Sequence, residues 1–199
     1  MPNDMKAKAP NPISNLKTSN PSSIIRCYFE LNHLKQIYRQ GWLVRGIPAE
    51  RCESVAEHSF GVAVTTMILA DCFFPKLDTL KVLRMALIHD IGEVYAGDII
   101  PGNQISSEEK HQLEHDSITQ IFAHLPNGDD YITLWKEYEI SASPEAQFVR
   151  QVDKLEMALQ ASVYEHQNLE NLAEFFQSAR SEITSPELLE IMKELEDLR

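Results

Sequence analysis

The sequence predicts a single all-α domain, on three observations. The chain of 199 residues contains only 7 glycines, and segments that alternate β-branched and polar residues are sparse. Apolar residues instead recur at helical spacing between recognisable helix starts. The length suits one substantial hydrophobic core and would be cramped for two full domains, and the apolar (43%) and charged (24%) contents are ordinary for a soluble globular protein. We therefore expect one helical domain.

The N-terminal segment is the one part expected to lack structure. Residues 1–22 are polar and contain several prolines, which predicts a disordered tail before an ordered domain at residues 23–199. A first helix is expected from about residue 24 to residue 39, because apolar residues recur there at helical spacing. The stretch 41–48, which contains glycine and proline, then predicts a loop.

Helix-start signals define the remaining elements. Ser54 and Glu57 match a capping box, so a helix is expected from there to about residue 74, and its apolar character on nearly all sides predicts a central, buried position. A second helix should follow Asp78 and end near Tyr95. A further helix is expected at about 107–124, with Ser107 as its N-cap, and a short helix should follow the turn at 126–129. Two more helices should start at Ser143-Pro144 and at Ser185-Pro186.

His89, Asp90 and Glu93 lie at the end of the largely apolar run at 82–93. A lone buried carboxylate at Asp90 would be costly unless it were paired, hydrogen-bonded or bound to a metal. Because an α-helix advances about 100° per residue, Glu93 falls between His89 and Asp90 in angular position. The three side chains are therefore expected to share one arc of a continuous buried helix, which indicates a functional site.

Residues in two other predicted helices are possible companions of this pair. His58 lies upstream and Asp153 downstream, so that the order along the chain is His, His-Asp, Asp. Two imidazoles and two carboxylates suit a divalent transition metal (Mn, Fe, Co, Ni or Zn), whereas Ca²⁺ or Mg²⁺ would use oxygen ligands almost exclusively. Because no thiolate belongs to the set, a structural zinc site is not expected. The sequence predicts a metal centre of His58, His89, Asp90 and Asp153.

The composition also argues against several classes of partner. A net charge of −12 makes nucleic-acid polymers unexpected, since phosphate contacts need a basic surface. No segment reaches the roughly 18 uninterrupted apolar residues of a membrane span, and the N-terminus lacks the apolar core of a signal peptide. Three cysteines without paired spacing fit reduced thiols, so a cytoplasmic location is expected.

The motifs and their order resemble those of the HD superfamily of metal-dependent phosphohydrolases. They are E-S-V-A-E-H at 53–58, H-D-I-G-E at 89–93, G-D-I at 97–99 and V-D-K at 152–154. The string H-D-x-x-E-x-x-x-G-D, complete from His89 to Asp98, is most similar to the 5'-deoxynucleotidase branch. This resemblance implies a single HD-domain helical bundle, a homodimer, and release of inorganic phosphate from deoxyribonucleoside 5'-monophosphates.

The resemblance also implies roles for individual residues. Glu93 would orient or deprotonate the attacking water, and Asp98 would contact the sugar or assist proton transfer to the 5'-oxygen. Arg39 would bind phosphate oxygens, while Trp42 would wall the sugar pocket and Arg45 would be a further substrate-binding residue. In the bacterial form the arginine directly precedes the tryptophan; the spacing of Arg39 and Trp42 resembles that of eukaryotic-type members.

Other interpretations of these residues stay open. Trp42 could be ordinary loop packing and Arg45 a surface charge. His111 and His115 are spaced i, i+4, a metal-binding geometry that would suit a second ion, but acidic and polar neighbours also describe a solvated helix face. The competing functions are an HD phosphodiesterase or pyrophosphohydrolase, acting on cyclic nucleotides or guanosine alarmones, and a non-catalytic HD-fold nucleotide sensor.

Overall fold

Helices make up the regular structure of the chain. The computed structural model describes residues 6–16, 20–100, 102 and 105–199, in which β-structure is limited to isolated bridges. The predicted all-α class is confirmed. The helices are α1 (Ser23–Leu31), α2 (Gln40–Val44), α3 (Val55–Phe73), α4 (Thr79–Ile88), α5 (Glu93–Ala96), α6 (Ser107–Phe122), α7 (Gly128–Glu139), α8 (Pro144–His166), α9 (Ala173–Glu182) and α10 (Pro186–Asp197).

The chain divides into two compact units. The first unit comprises Met1–Val44, Pro48–Glu57 and Asp90–Leu134, and the second comprises Arg45–Ile47, His58–His89 and Trp135–Arg199. The predicted single domain over residues 23–199 stays a prediction. No helix among the described residues combines the length and the apolar character needed to cross a membrane.

In the first unit, α5 is fixed against α6 and α1. A side chain at Gly92 would place its Cβ 2.8 Å from Cβ of Glu114, so the turn before α5 approaches α6 closely. The backbone N–H of Tyr95 donates to Ser117 Oγ at 3.2 Å, and its hydroxyl donates to the buried Glu30 of α1 at 2.9 Å. These contacts hold Glu93 on a fixed element.

The N-terminal segment contacts the same unit. Ala7 forms a β-bridge with Ile37, and the Lys8 N–H donates to Gln36 O at 2.6 Å. Part of the predicted tail is therefore paired with the chain around residue 37. The expected boundary at residue 22 stays a prediction, and residues 1–5 and 17–19 of the tail lie outside the described residues.

The second unit is organised around the long helix α8. This helix packs against α4, α9 and α10. It begins as predicted, with Pro144 at its first position and the Ser143 hydroxyl accepting from the Ala146 N–H at 3.1 Å. Helix α9 was not predicted: its N-cap position, Leu172, makes no side-chain capping bond, so it lacks a local start signal.

Helix α3 begins as predicted but is not buried all round. The capping box is present, with the Ser54 N–H donating to Glu57 at 2.7 Å and the Glu57 N–H donating to the serine hydroxyl at 3.3 Å. The expectation of burial on every side is wrong, because Phe60, Met67 and Ile68 form an exposed stripe at helical spacing. Apolar residues therefore lie on a solvent-facing side of this helix.

Three further boundaries differ from the prediction. The continuous helix through His89 is wrong: α4 ends at Ile88, and the next turn is tightened by bonds of the i→i−3 type, such as Glu93 N–H to Asp90 O at 3.0 Å. The first helix ends at Leu31 rather than at residue 39. Helix α2 lies within the predicted loop at 41–48. Helix α6 starts at residue 107 as expected, but the predicted N-cap is wrong: Ser106, not Ser107, accepts the Glu109 N–H.

Candidate metal centre

Three of the four predicted metal ligands meet in the second unit. His58 projects from α3, His89 follows the end of α4, and Asp153 lies on α8; all three are buried. Asp153 Oδ1 lies 3.1 Å from His58 Nε2 and 3.9 Å from His89 Nε2, and the two imidazole centroids are 5.4 Å apart. Residues separated by up to 95 positions in the chain thus bring two nitrogen donors and one oxygen donor together.

These distances fit a shared transition metal. Donor atoms about 2.1 Å from an octahedral ion lie roughly 3.0 Å apart when adjacent and roughly 4.2 Å apart when opposite. The two separations from Asp153 Oδ1, 3.1 and 3.9 Å, lie within that range. Imidazole with carboxylate is also the donor chemistry that such ions prefer.

Both imidazoles are held so that Nε2 can act as the ligand atom. His58 Nδ1 lies 2.6 Å from Oε2 of Glu156, and His89 Nδ1 lies 2.8 Å from the carbonyl oxygen of Ala86. With Nδ1–H donating to each acceptor, Nε2 is the ring nitrogen that lies near Asp153 Oδ1 and is available to bind an ion. Histidines that bind metals are commonly fixed in this way. The indole N–H of Trp135 further anchors this end of α4, donating to His89 O at 3.1 Å.

Asp153 is held in its charged form. Burial alone would raise its pKa, but Lys154, with Nζ 3.1 Å from Oδ2, together with His58 and His89, lowers the pKa well below its usual range. A charged carboxylate is the form that binds a cation. Lys154 therefore forms an ion pair with its neighbour in the chain, Asp153.

A second group of site residues lies in the first unit. The Arg39 guanidinium is within reach of three carboxylates: its Nη1 lies 3.5 Å from Asp90, 3.9 Å from Glu93 and 3.6 Å from Asp98. Asp98 also accepts the Gln40 N–H at 2.6 Å, so it fixes the backbone immediately after Arg39. The structure therefore brings together one predicted substrate-binding residue and three predicted acidic site residues.

Glu93 is a carboxyl group of this cluster whose pKa is raised. It is buried, and burial raises its pKa well above the usual range, with Asp90 and Asp98 adding to the rise and Arg39 and Lys110 opposing it. A raised pKa in a polar cluster is typical of a group that exchanges protons.

Lys110 is a cation of this cluster that sequence reasoning did not select. It lies on α6, 3.4 Å from Glu114, and although burial lowers its pKa, Glu114, Glu93 and Asp90 raise it overall. Its position four residues before Glu114 was the available signal, because the i, i+4 spacing places both on one helix face. The acidic cluster thus has two neighbouring cations.

The other predicted substrate-binding residues are placed differently. Trp42 is only 2% exposed and its indole N–H donates to Glu53 at 2.7 Å, which favours a packing role. Arg45 is exposed and forms a two-point ion pair with Glu174. Their roles in substrate binding stay predictions.

The histidines considered for a second metal do not form a site in the described part of the chain. His111 is exposed, and His115 lies 3.7 Å from Asp116. Neither belongs to a group of three or more described His, Cys, Asp or Glu side chains close enough to share an ion. The structure therefore supports the solvated-face interpretation of these two residues.

Glu156 is the second residue that sequence reasoning missed. It is buried, and its bond to His58 joins positions 98 residues apart. Its signal in the sequence was the spacing of three from Asp153, which places both carboxylates on the same face of α8.

Comparison with known proteins gives a consistent result. The model of the HD domain family matches residues 31–196. The 5'-deoxynucleotidase HDDC2 of Mus musculus is 38% identical over 184 residues (89% of each chain), and its Dictyostelium discoideum counterpart is 38% identical over 178 residues (83% of this chain, 93% of that one). The crystal structure of the PH0347 protein from Pyrococcus horikoshii OT3 superposes with a TM-score of 0.74 at 34% identity, covering 88% of this chain and 99% of that one.

A further solved structure carries a functional description. A predicted metal-dependent phosphohydrolase from Magnetospirillum magnetotacticum has a TM-score of 0.67 at 25% identity, covering 88% of this chain and 90% of that one. The resemblance to the HD superfamily and to its 5'-deoxynucleotidase branch is confirmed. The chain belongs to the HD domain family.

Proposed function

We propose that this protein hydrolyses deoxyribonucleoside 5'-monophosphates and releases inorganic phosphate. The observation that carries the proposal is the buried cluster of His58, His89 and Asp153, in which one carboxylate oxygen lies 3.1 and 3.9 Å from the two imidazole nitrogens, separations suited to a shared ion. The 5'-deoxynucleotidases among its relatives support the choice of substrate class.

One divalent transition metal would be held by His58, His89, Asp90 and Asp153. Asp90 directly follows His89 in the chain, which supports its inclusion as the fourth ligand. The identity of the ion among Mn, Co, Fe, Ni and Zn is left open by a mixed imidazole and carboxylate set. When bound, such an ion supplies positive charge to the phosphoryl group and activates water.

Glu93 and Asp98 would move the protons of the reaction. Hydrolysis forms a bond from the water oxygen to phosphorus and breaks the bond from phosphorus to the 5'-oxygen. Glu93, with its raised pKa, would orient the water and accept its proton. Asp98 would contact the sugar or assist delivery of a proton to the 5'-oxygen, so that the products are the deoxynucleoside and phosphate.

Substrate binding requires positive charge, because the phosphate monoester is a dianion. Arg39 would donate hydrogen bonds to the phosphate oxygens of the substrate, and Lys110 would add a second positive charge close to the acidic cluster. Trp42 would support α2, which directly follows Arg39, and would thereby shape the sugar pocket. Arg45 would make a weaker contribution from its exposed position.

We also propose a cytoplasmic homodimer that recognises no nucleic-acid polymer. The exposed apolar stripe of Phe60, Met67 and Ile68 on α3 supports a second copy of the chain as its partner. The cysteines, all of them free thiols, support a reducing compartment. The net charge of −12 argues against phosphate-rich polymers.

Phosphate release from dAMP, dGMP, dCMP, dTMP and AMP, measured with added Mn²⁺ or Co²⁺, tests the substrate class. We expect turnover of the deoxynucleotides, weaker turnover of AMP, and loss of activity after a chelator removes the metal. The metal-free protein is the control. If metal-loaded protein released no phosphate from any monophosphate but cleaved a cyclic dinucleotide or a guanosine alarmone, the proposal would be wrong and the phosphodiesterase or pyrophosphohydrolase interpretation would replace it.

Replacing Arg39 with glutamine tests the phosphate contact. We expect kcat/KM to fall about 10²–10³-fold, the range for losing a donor to developing negative charge. Arg45→Gln is the comparison variant, because that arginine is exposed and paired with Glu174, so we expect at most about a fivefold rise in KM. Equal losses in the two variants would contradict the special role of Arg39.

A further inference from the structure

We infer that Glu156 is a positioning residue for the metal centre and that Gly61 provides the space it occupies. Glu156 would hold His58 in the tautomer and ring orientation that leave Nε2 available to the ion. The inference rests on the proposed metal site but does not depend on which nucleotide is the substrate.

The contact between Glu156 and His58 is short, buried and specific. Glu156 Oε2 lies 2.6 Å from His58 Nδ1, and the two residues are 7% and 1% exposed. On the other side of the ring, His58 Nε2 lies 3.1 Å from Asp153. Helix α8 therefore presents a carboxylate to each ring nitrogen, and the one at Nδ1 acts through His58 rather than on the ion. Hydrogen bonds that involve a charged acceptor are about twice as strong as neutral ones.

Gly61 makes the position of this carboxylate possible. A Cβ atom at Gly61 would lie 2.3 Å from Oε1 of Glu156 and 3.1 Å from its Cδ. Glycine in the middle of a helix costs about 1 kcal/mol relative to alanine, so α3 is locally weakened where the carboxylate rests. Because the collision is with the end of a flexible side chain, Gly61→Ala would displace the carboxylate of Glu156 before it moved the backbone.

His89 provides an internal comparison. Its Nδ1 is held by the backbone carbonyl of Ala86 at 2.8 Å, a partner that side-chain substitution on α8 leaves in place. His58 depends instead on a side chain. Removing Glu156 should free the His58 ring to take the other tautomer while His89 keeps its own. Loss of such an outer partner lowers metal affinity about 10–100-fold in comparable sites.

The test compares Glu156→Ala, Glu156→Gln and Gly61→Ala with the wild type. Zn²⁺ affinity is measured by competition with a chelator, and the imidazole Nδ1–H protons of the Zn²⁺-loaded protein are observed by NMR. Glu145→Gln is the matched control, because Glu145 is a carboxylate of the same helix that pairs with Lys81 at 3.4 Å. Glutamine keeps the volume and one acceptor oxygen, so this variant remains informative if the alanine variant does not fold.

The expected result is loss of the His58 Nδ1–H signal and about 10–100-fold weaker Zn²⁺ binding in Glu156→Ala, with the His89 signal retained. Glu156→Gln should keep the His58 signal and lose less affinity, and Gly61→Ala should fall between the two. Wild-type affinity in both Glu156 variants would overturn the inference, as would an equal loss in Glu145→Gln or loss of the His89 signal together with that of His58. Neither measurement uses a nucleotide. The role of Glu156 can therefore be confirmed or overturned even if the protein does not hydrolyse deoxyribonucleoside 5'-monophosphates.

Discussion

Replacing Asp153 with asparagine is expected to abolish metal-dependent phosphate release. Asp153 Oδ1 is the common neighbour of both imidazole Nε2 atoms, at 3.1 Å from His58 and 3.9 Å from His89. The substitution keeps the shape of the side chain but removes the charge that binds a cation. Removal of a residue that only hydrogen-bonds to a metal ligand lowers metal affinity about 10–100-fold, and loss of the Asp153 charge should lower it further. Chelator competition measures the affinity, and phosphate release with added Mn²⁺ measures the activity.

The same substitution should also destabilise the metal-free protein. The folded-state pKa of Asp153 is depressed, because Lys154, His58 and His89 outweigh the effect of burial. A carboxyl group with a depressed pKa stabilises the fold at neutral pH, and this contribution is lost as the pH falls through the folded-state pKa. A neutral asparagine side chain cannot make the charged interactions, so we expect the free energy of unfolding at pH 7 to fall by about 1–3 kcal/mol.

Urea unfolding in the presence of a chelator measures this change. Glu145→Gln is again the control on the same helix, and as a partly exposed pair with Lys81 it should cost less than about 1 kcal/mol. An Asp153→Asn protein that bound metal with wild-type affinity would remove Asp153 from the ligand set.

Local signals predicted the helices that carry two of the proposed metal ligands, His58 and Asp153. The capping box of Ser54 and Glu57 and the Ser143-Pro144 start are complete within four consecutive residues, and both helices begin where expected. The spacing of His58 and Asp153 within these helices then placed one donor on each. These features could be predicted because each depends on neighbours in the chain.

Long-range contacts explain the elements that were missed. The short helix α2 starts at Gln40, whose N–H donates to Asp98, 58 residues later in the chain. A local pattern of glycine and proline does not contain that partner. The end of α4 at Ile88 was hidden for a different reason: the apolar run continues past it, and periodicity does not distinguish i→i−4 from i→i−3 bonding.

The difference between local signals and long-range contacts also applies to the candidate site. The proposed ligands were selected because their residue types are unusual in apolar helices, whereas Glu156 and Lys110 look like ordinary charged residues of a helix surface. Only the fold shows that Glu156 is buried against His58, and that Lys110 lies close enough to Glu93 to affect its pKa. Helical spacing could therefore indicate the helix face on which Glu156 and Lys110 lie, but not the contacts that connect them to the candidate site.

Replacing Glu93 with glutamine is expected to separate catalysis from metal binding. Phosphate release should fall about 10²–10⁴-fold, the usual contribution of a positioned acid or base. Metal affinity should change much less than phosphate release, because Glu93 is outside the proposed ligand set. Single-turnover phosphate release and chelator competition, measured on the same metal-loaded sample, give the two quantities.

The stability of the metal-free Glu93→Gln protein should change in the direction opposite to that of Asp153→Asn. Burial, Asp90 and Asp98 raise the folded-state pKa of Glu93, so the folded protein holds this proton more tightly than the unfolded chain does. Its ionisation therefore costs stability as the pH rises above the unfolded-state value. Glutamine cannot ionise, so the variant should be as stable as the wild type or more stable at pH 7, with a flatter dependence on pH above about 4.5.

Urea unfolding with a chelator at pH 5, 6, 7 and 8 measures that dependence. A variant that lost both stability and activity would show that Glu93 supports the fold rather than the chemistry. A variant that gained stability while losing turnover would mean that the protein maintains an unfavourable buried carboxylate beside Asp90 and Asp98 because the reaction requires it. The opposite signs expected for Asp153 and Glu93 distinguish a carboxylate that binds a cation from a carboxylate that exchanges a proton.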